Sequence, residues 1–428
     1  MSPLHTIGRG SAAARRHAQG VGLIETMVGI LIGMIVVMVV YNILAVAEGY
    51  RRTTVGGSDA QITGLLTQLV AGRDAGNGGS GITVSNADLI NCTRNDAGAD
   101  LRTMAVTNLD AAIRPIPLLI TDGVNPWVSD SFISLFGGAP HVMWPVDFTS
   151  TSLPGTTFTV QSPNGFTVPA PAAGTGAYWA VVMANDASGT CKVVRIIAAT
   201  AADAQGRVTL TQDAAIATTA TYAVGPPARL LNLGISPLAT RIQYDVAAGV
   251  LRTSDLLVVP PAAITPNPIA QNVVLMKAQY GIDTNGDGFV DCWTAADNLN
   301  VCADGKNYSR DSVRAFPVAD LNRILAVRIG VVVRSDEPDL RLLTNPGDQT
   351  LKDESAPVLA AKRQQPYLFN CSANNASCQS RVKVPMAAGV PAGSATCPNA
   401  VICDHWRYRT YETVIPLRNA IFAATLPP

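Results

Sequence analysis

Hydrophobic and polar positions follow three different patterns along this 428-residue chain. Residues 1–20 are mostly small or polar, with Arg9, Arg15 and Arg16 and no acid. From Val21 an apolar run begins, VGLIETMVGILIGMIVVMVVYNILAVAEGYRR, in which Thr26 to Ala47 supplies 22 residues without a charge. As a helix rising about 1.5 Å per residue, that run is about 33 Å long and can cross a bilayer. Beyond it the pattern becomes one-sided. Ile62, Leu65, Leu66, Leu69 and Val70 recur at helical spacing, so the helix is expected to run from about Val21 to about Ala71 and to lay this stripe on a globular head. Gly56-Gly57 is expected to bend or loosen the helix, and the glycine-rich stretch from Ala75 to Gly81 to end it.

The third pattern is that of strands. Runs at 141–149, 156–161, 178–184, 192–198, 207–211, 240–245, 272–282, 325–334 and 406–417 are rich in β-branched and aromatic residues and are separated by Pro, Gly, Asn and Asp clusters. A proline-rich stretch, Pro260 to Pro268, either divides the head into two β-rich portions or forms a long surface loop. The chain is therefore expected to be an α+β protein, with a long N-terminal transmembrane or spine helix followed by a β-rich head. Its segments are 1–20 as a leader, 21–75 as the helix, 76–260 as the first part of the head and 261–428 as the second.

Composition narrows the classes. Charged residues are 14% and apolar ones 48%, which excludes a chain disordered for want of burial. Lys and Arg number 31, as do Asp and Glu, so the basic footprint of nucleic-acid binding is missing. The leader arginines lie nearer the N-terminus than Arg51 and Arg52, which favours a cytoplasmic N-terminus and an exported head.

Glu25 does not fit an ordinary anchor. A carboxylate costs about 2.5–3.5 kcal/mol at the centre of a membrane helix and less near the interface, so it calls for a partner. Cleavage after Gly20 would put the new α-amino group of Val21 one helical turn from Glu25. The arrangement Gly20, Val21-Gly22-Leu23-Ile24-Glu25 and an unbroken apolar helix resembles the class III signal of type IV prepilins and type II secretion pseudopilins. That resemblance implies that a prepilin peptidase cuts after Gly20 and methylates Val21, and that Glu25 pairs with a neighbouring subunit's N-terminus during assembly. The sequence departs from the family pattern at Val21, Gly22 and Thr26. Two other readings stand beside it: a conventional signal peptide ending at Ala45-Val46-Ala47, and a plain single-span anchor. The Gly29/Gly33 pair would let another helix approach closely.

Three further segments carry a second resemblance: Gln279 to Asp283, Leu325 to Ser335 and Arg407 to Asn419. In order and placement they look like the C-terminal region of the PilW family of minor pilins. The resemblance, and a length greater than that usual for minor pseudopilins, implies a pilin-like head and a structural subunit of the type IV pilus. Its partners would be the prepilin peptidase, other minor pilins, the major pilin and the inner membrane. The head would be periplasmic at first and reach the pilus or cell surface later. A secretion pseudopilin and a calcium-dependent tip adhesin remain the alternatives.

All eight cysteines, Cys92, Cys191, Cys292, Cys302, Cys371, Cys378, Cys397 and Cys403, follow the apolar run, as suits an oxidising compartment. Local spacing suggests pairs 292–302, 371–378 and 397–403, leaving 92–191, with free buried thiols as the other reading. Asp283-Thr284-Asn285-Gly286-Asp287-Gly288-Phe289-Val290-Asp291 matches the start of an EF-hand-type loop. Asp283, Asn285, Asp287 and Asp291 would offer side-chain oxygens to Ca²⁺ and Phe289 its carbonyl. Thr294 stands where the loop's bidentate glutamate belongs, and Asp297 or Asp304 would have to replace it. The same residues also read as solvated hairpin turns. No catalytic motif is present, and outside the leader only His141 and His405 are available for acid/base work, so no enzyme is expected.

Overall fold

A computed structural model describes residues 22–81, 116–123, 128–137, 145–151, 157–163, 165–167, 177–183, 191–214, 229–235, 240–257, 264–296, 302–336, 367–369, 382–383 and 408–417. The chain forms two compact units, residues 1–54 and 55–428. Helix α1, Leu23–Gly76, contributes to both. It continues unbroken through Gly56 and Gly57 and ends at Gly76 in a turn reaching Gly81.

The second unit holds three main sheets, every described strand pair antiparallel. One is a five-stranded sheet in the order β1 (Leu118–Thr121), β2 (Ser131–Phe136), β9 (Thr240–Ala247), β10 (Val250–Asp255), β11 (Asn267–Gln271). Between β2 and β9 the chain makes an excursion into a closed six-stranded barrel. Its strands are β3 (Val146–Thr151), β4 (Thr157–Val160), β7 (Val208–Gln212), β6 (Cys191–Ala199), β5 (Tyr178–Met183) and β8 (Arg229–Ile235), in that order around the barrel. The third is a four-stranded sheet ordered β13 (Cys292–Ala295), β12 (Val273–Ile282), β14 (Ile324–Arg334), β17 (Tyr408–Pro416). A two-stranded ladder joins β15 (Tyr367–Leu368) to β16 (Val382–Lys383), and short helices α2 (Arg310–Ala315) and α3 (Val318–Leu321) precede β14.

Apolar runs too continuous for a one-sided strand mark elements buried on both faces. In β5 the alternate residues Tyr178, Ala180 and Val182 enter the barrel core. Trp179, Val181 and Met183 pack outside it with Leu135 and Leu257. In β12 all ten residues are buried. Val273, Met276, Ala278, Tyr280 and Ile282 join the principal core, while Val274 and Leu275 meet Val332, Leu368, Phe369 and Tyr408 on the other side.

The 260/261 boundary falls inside the five-stranded sheet, because β11 pairs with β10 across the proline-rich stretch. Pro268 is tolerated there because β11 is an edge strand in the described sheet, where a missing N–H costs no internal ladder bond. The division is one of composition, not of architecture.

The face of α1 that meets the head is the reverse of the one expected. Ile62, Leu65, Leu66 and Leu69 are exposed, whereas Ala60, Gly64, Thr67, Ala71, Asp74 and Ala75 are buried. Of the expected stripe, only Val70 packs partly against the core. The buried positions also recur at helical spacing, but they are small, which lets the helix backbone come close to the sheet. A β-carbon on Gly56 would lie 3.3 Å from Ser335 Cβ, and one on Gly76 3.4 Å from Ile415 Cγ2.

Candidate functional site

Four features carry chemistry, the first being the N-terminal part of α1. From Leu23 to Val46 its large apolar side chains are exposed, and the helix is long and apolar enough to cross a membrane. Gly29 and Gly33 have open space where a side chain would stand. Glu25 lies exposed in the first turn, and Thr26 Oγ1 donates to Leu23 O at 2.8 Å. Gly20 and Val21, the expected processing residues, lie outside the described residues.

The seam between the second half of α1 and the head is closed by a polar network centred on the buried Asp74. Tyr244 Oη donates to Asp74 Oδ2 at 2.5 Å, Arg73 Nε to Asp74 Oδ1 at 2.8 Å, and Ser134 Oγ to the Asp74 carbonyl at 2.6 Å. The Tyr244 ring stacks on Phe132 at 4.7 Å. Burial, then the Asp74 carboxylate, raises the Tyr244 phenol above its ordinary range and keeps it a donor.

The acidic loop joins β12 to β13. Carboxylate oxygens of Asp283, Asp287 and Asp291 all lie within 4.8 Å of one another. That spacing suits a shared Ca²⁺, whose oxygen ligands sit about 2.3–2.6 Å from the ion and so up to about 5 Å apart across it. Gly286 and Gly288 have φ of 84° and 87°, a left-handed backbone open to glycine at little cost. Their N–H groups donate to Asp283 Oδ1 at 2.5 Å and Oδ2 at 2.8 Å. Asp291 Oδ2 accepts from Thr284 N and Oγ1, both at 2.9 Å, and these bonds hold its carboxyl below the usual range. Asn285 Oδ1 accepts from Asp287 N at 2.9 Å, and Asp287 Oδ1 from Phe289 N at 2.8 Å. The expected donors are thus gathered in one loop. Thr294 is buried in β13 opposite Tyr280 and supplies no carboxylate. Asp304 is engaged in its own turn by Tyr308 Oη at 2.7 Å and Lys306 N at 3.1 Å. Asp297 lies outside the described residues.

The loop is stapled where it enters β13. Cys292 and Cys302 form a disulfide with a Cα separation of 6.0 Å, the pair that spacing suggested. Cys191 is also disulfide-bonded. Cys92, Cys371, Cys378, Cys397 and Cys403 lie outside the described residues, so the other pairings do too.

The fourth feature was not anticipated. Lys277, in the middle of the buried strand β12, contacts Asp130 at 2.6 Å and Asp122 at 3.6 Å. Its signal was a lone lysine inside the apolar run VVLMKAQYGI, a position that demands a buried counter-charge.

These elements define a protein with a long exposed apolar N-terminal helix and a disulfide-stapled β head. Residues 244–419, from β9 to just past β17, match the family model described as Type IV Pilus-assembly protein W, PilW. The match covers less than half of the chain. The Type IV-like pilin TTHA1219 from Thermus thermophilus is similar at 12% identity over 57% of this chain and 86% of that one, with a TM-score of 0.19, too low to carry an argument. No curated protein matches the chain.

Proposed function

We propose that this chain is a minor pilin, a structural subunit that helps prime assembly of a type IV pilus. The observation that carries the reading is the joining of a PilW-family region to an exposed apolar helix with Glu25 in its first turn. In this reading a prepilin peptidase cuts after Gly20 and methylates Val21. The helix then stores the subunit in the inner membrane with a periplasmic head, and the Glu25 carboxylate receives the N-terminal amine of a neighbouring subunit. Other minor pilins and the major pilin are the partners, met through the apolar helix. The PilW match favours a pilus over a secretion pseudopilus built by the same physics.

The N-terminus of protein isolated from membranes tests the processing step. An N-methylated Val21 is expected. A start at Glu48 would identify a conventional signal peptide, and an intact Met1 a simple anchor. Deletion tests the assembly role: lost pili and twitching are expected, whereas lost exoprotein secretion with normal pili would assign the chain to a pseudopilus.

The acidic loop supports an additional role, weak binding of Ca²⁺ by Asp283, Asp287 and Asp291 with the Phe289 carbonyl and Asn285. With no bidentate glutamate, its affinity falls in the extracellular range of about 10⁻⁴–10⁻³ M. Such a site would stiffen the end of β12. Intact piliation with calcium-dependent attachment would make the head an adhesin.

A further inference from the structure

The Lys277 side chain is 6% exposed and that of Asp130 is 2% exposed, and their contact joins residues 147 apart in sequence. Ser129 and Asp130 are tied to β12 by three hydrogen bonds. Asp130 N donates to Met276 O at 2.8 Å, Ala278 N to Asp130 Oδ2 at 2.8 Å, and Met276 N to Ser129 Oγ at 3.1 Å. Gly123 N donates to Asp130 Oδ1 at 3.0 Å. The loop reaches that position only because residue 123 has no side chain: a β-carbon there would lie 2.4 Å from Val128 O. The result is a buried amine pressed against a buried carboxyl whose two oxygens each receive a backbone N–H.

Those conditions are the ones that amide formation requires. Passing the ammonium proton to the carboxylate replaces two charges by a neutral amine and a carboxylic acid, an exchange that a medium of low dielectric makes less costly than water does. Burial pushes the Asp130 carboxyl up to about 6 against the opposing pull of Lys277. Fixed proximity removes the entropic barrier to bringing the groups together, and backbone N–H groups stabilise an oxyanion.

We propose that Lys277 and Asp130 condense to an isopeptide bond that cross-links β12 to the segment preceding β2. The Nζ lone pair attacks Asp130 Cγ, forming the C–N bond and a tetrahedral centre whose oxygens face the N–H groups of Gly123 and Ala278. Asp122 takes a proton from Nζ and returns it to the departing oxygen. The C–O bond breaks, one water leaves, and Asp122 is regenerated with no oxidant or co-reactant. The product replaces an ion pair by a covalent rung between the four-stranded sheet and the edge leading into the five-stranded one.

The test is mass spectrometry of the full chain, purified from membranes in detergent with its disulfides reduced and capped. Wild type is expected to weigh one water less than its processed sequence requires, and its digest to contain a branched peptide joining Asp130 to Lys277. Lys277→Arg, from the same membranes and so with the same processing, keeps its full sequence mass. Asp130→Asn expels ammonia instead and yields a product identical in mass to cross-linked wild type. Asp122→Asn slows accumulation of the cross-linked form. A cooperatively melting wild-type preparation with full sequence mass and only linear peptides for Asp130 and Lys277 would overturn the proposal and leave an ion pair.

Discussion

Gly64 of α1 and Tyr411 of β17 are packed so closely that a β-carbon on Gly64 would lie 2.1 Å from Tyr411 Cε2. The helix can approach the sheet only because this residue lacks a side chain. Gly64→Ala should therefore destabilise the head by about 1–3 kcal/mol through overpacking, outweighing the gain of up to about 1 kcal/mol in helix propensity. Adding Tyr411→Ala should recover part of the loss, since the two residues share one space. Thermal melts of the two single variants and the double variant check this. Additive losses would show that the contact does not decide the spacing.

The exposed stripe gives the opposite expectation. Leu65 is 61% exposed and Leu69 70%, so Leu65→Ser and Leu69→Ser should shift head stability by no more than about 0.5 kcal/mol. Ala71, at 1% exposed, has no room for growth, and Ala71→Leu should cost about 1–3 kcal/mol. Denaturant titration of the three variants distinguishes the two faces. A large loss at Leu65 would restore the stripe as the packed one.

The reversal shows where sequence reading failed. Periodicity located the helix, because an uncharged run followed by a helical repeat admits little else, but it could not choose between two stripes of the same period. The larger residues looked like the core face, although the small ones allow the closer approach. Strands with unbroken or alternating apolar patterns, such as β12 and β14, were legible within a residue or two. β11 was hidden by Pro268, which is unusual in a strand, and β2 by Ser131 and Ser134, polar residues in a mostly buried run. The acidic loop was legible because its glycines and acids are local in sequence. Lys277 and Asp130 were not, since their meeting depends on how distant strands pair.

Tyr244→Phe should cost about 1–3 kcal/mol, because it deletes the hydroxyl that donates to the Asp74 carboxylate and leaves that buried acceptor with fewer partners. Asp74→Asn in the same background should return part of the loss by removing the buried charge. Chemical denaturation of the single and double variants measures the coupling. A Tyr244→Phe head as stable as wild type would mean that Arg73 and the Ser134 bond suffice to hold the end of α1.

Replacing both Cys292 and Cys302 by Ser should destabilise the head by about 2–3 kcal/mol, the entropy of reopening a loop with a separation of ten residues. It should also weaken calcium binding, because the disulfide fixes the chain immediately after Asp291. In wild type, calcium at ten times its dissociation constant should add about 1.4 kcal/mol to stability by mass action, and Asp287→Ala should abolish that increment. The comparison is thermal melting of full-length protein in detergent with calcium or with chelator. Because a folded-state site answers to the ion concentration and a staple does not, the two contributions separate: the serine variant melts lower under both conditions. An Asp287→Ala variant that still gains stability from calcium would remove the loop from consideration as the binding site.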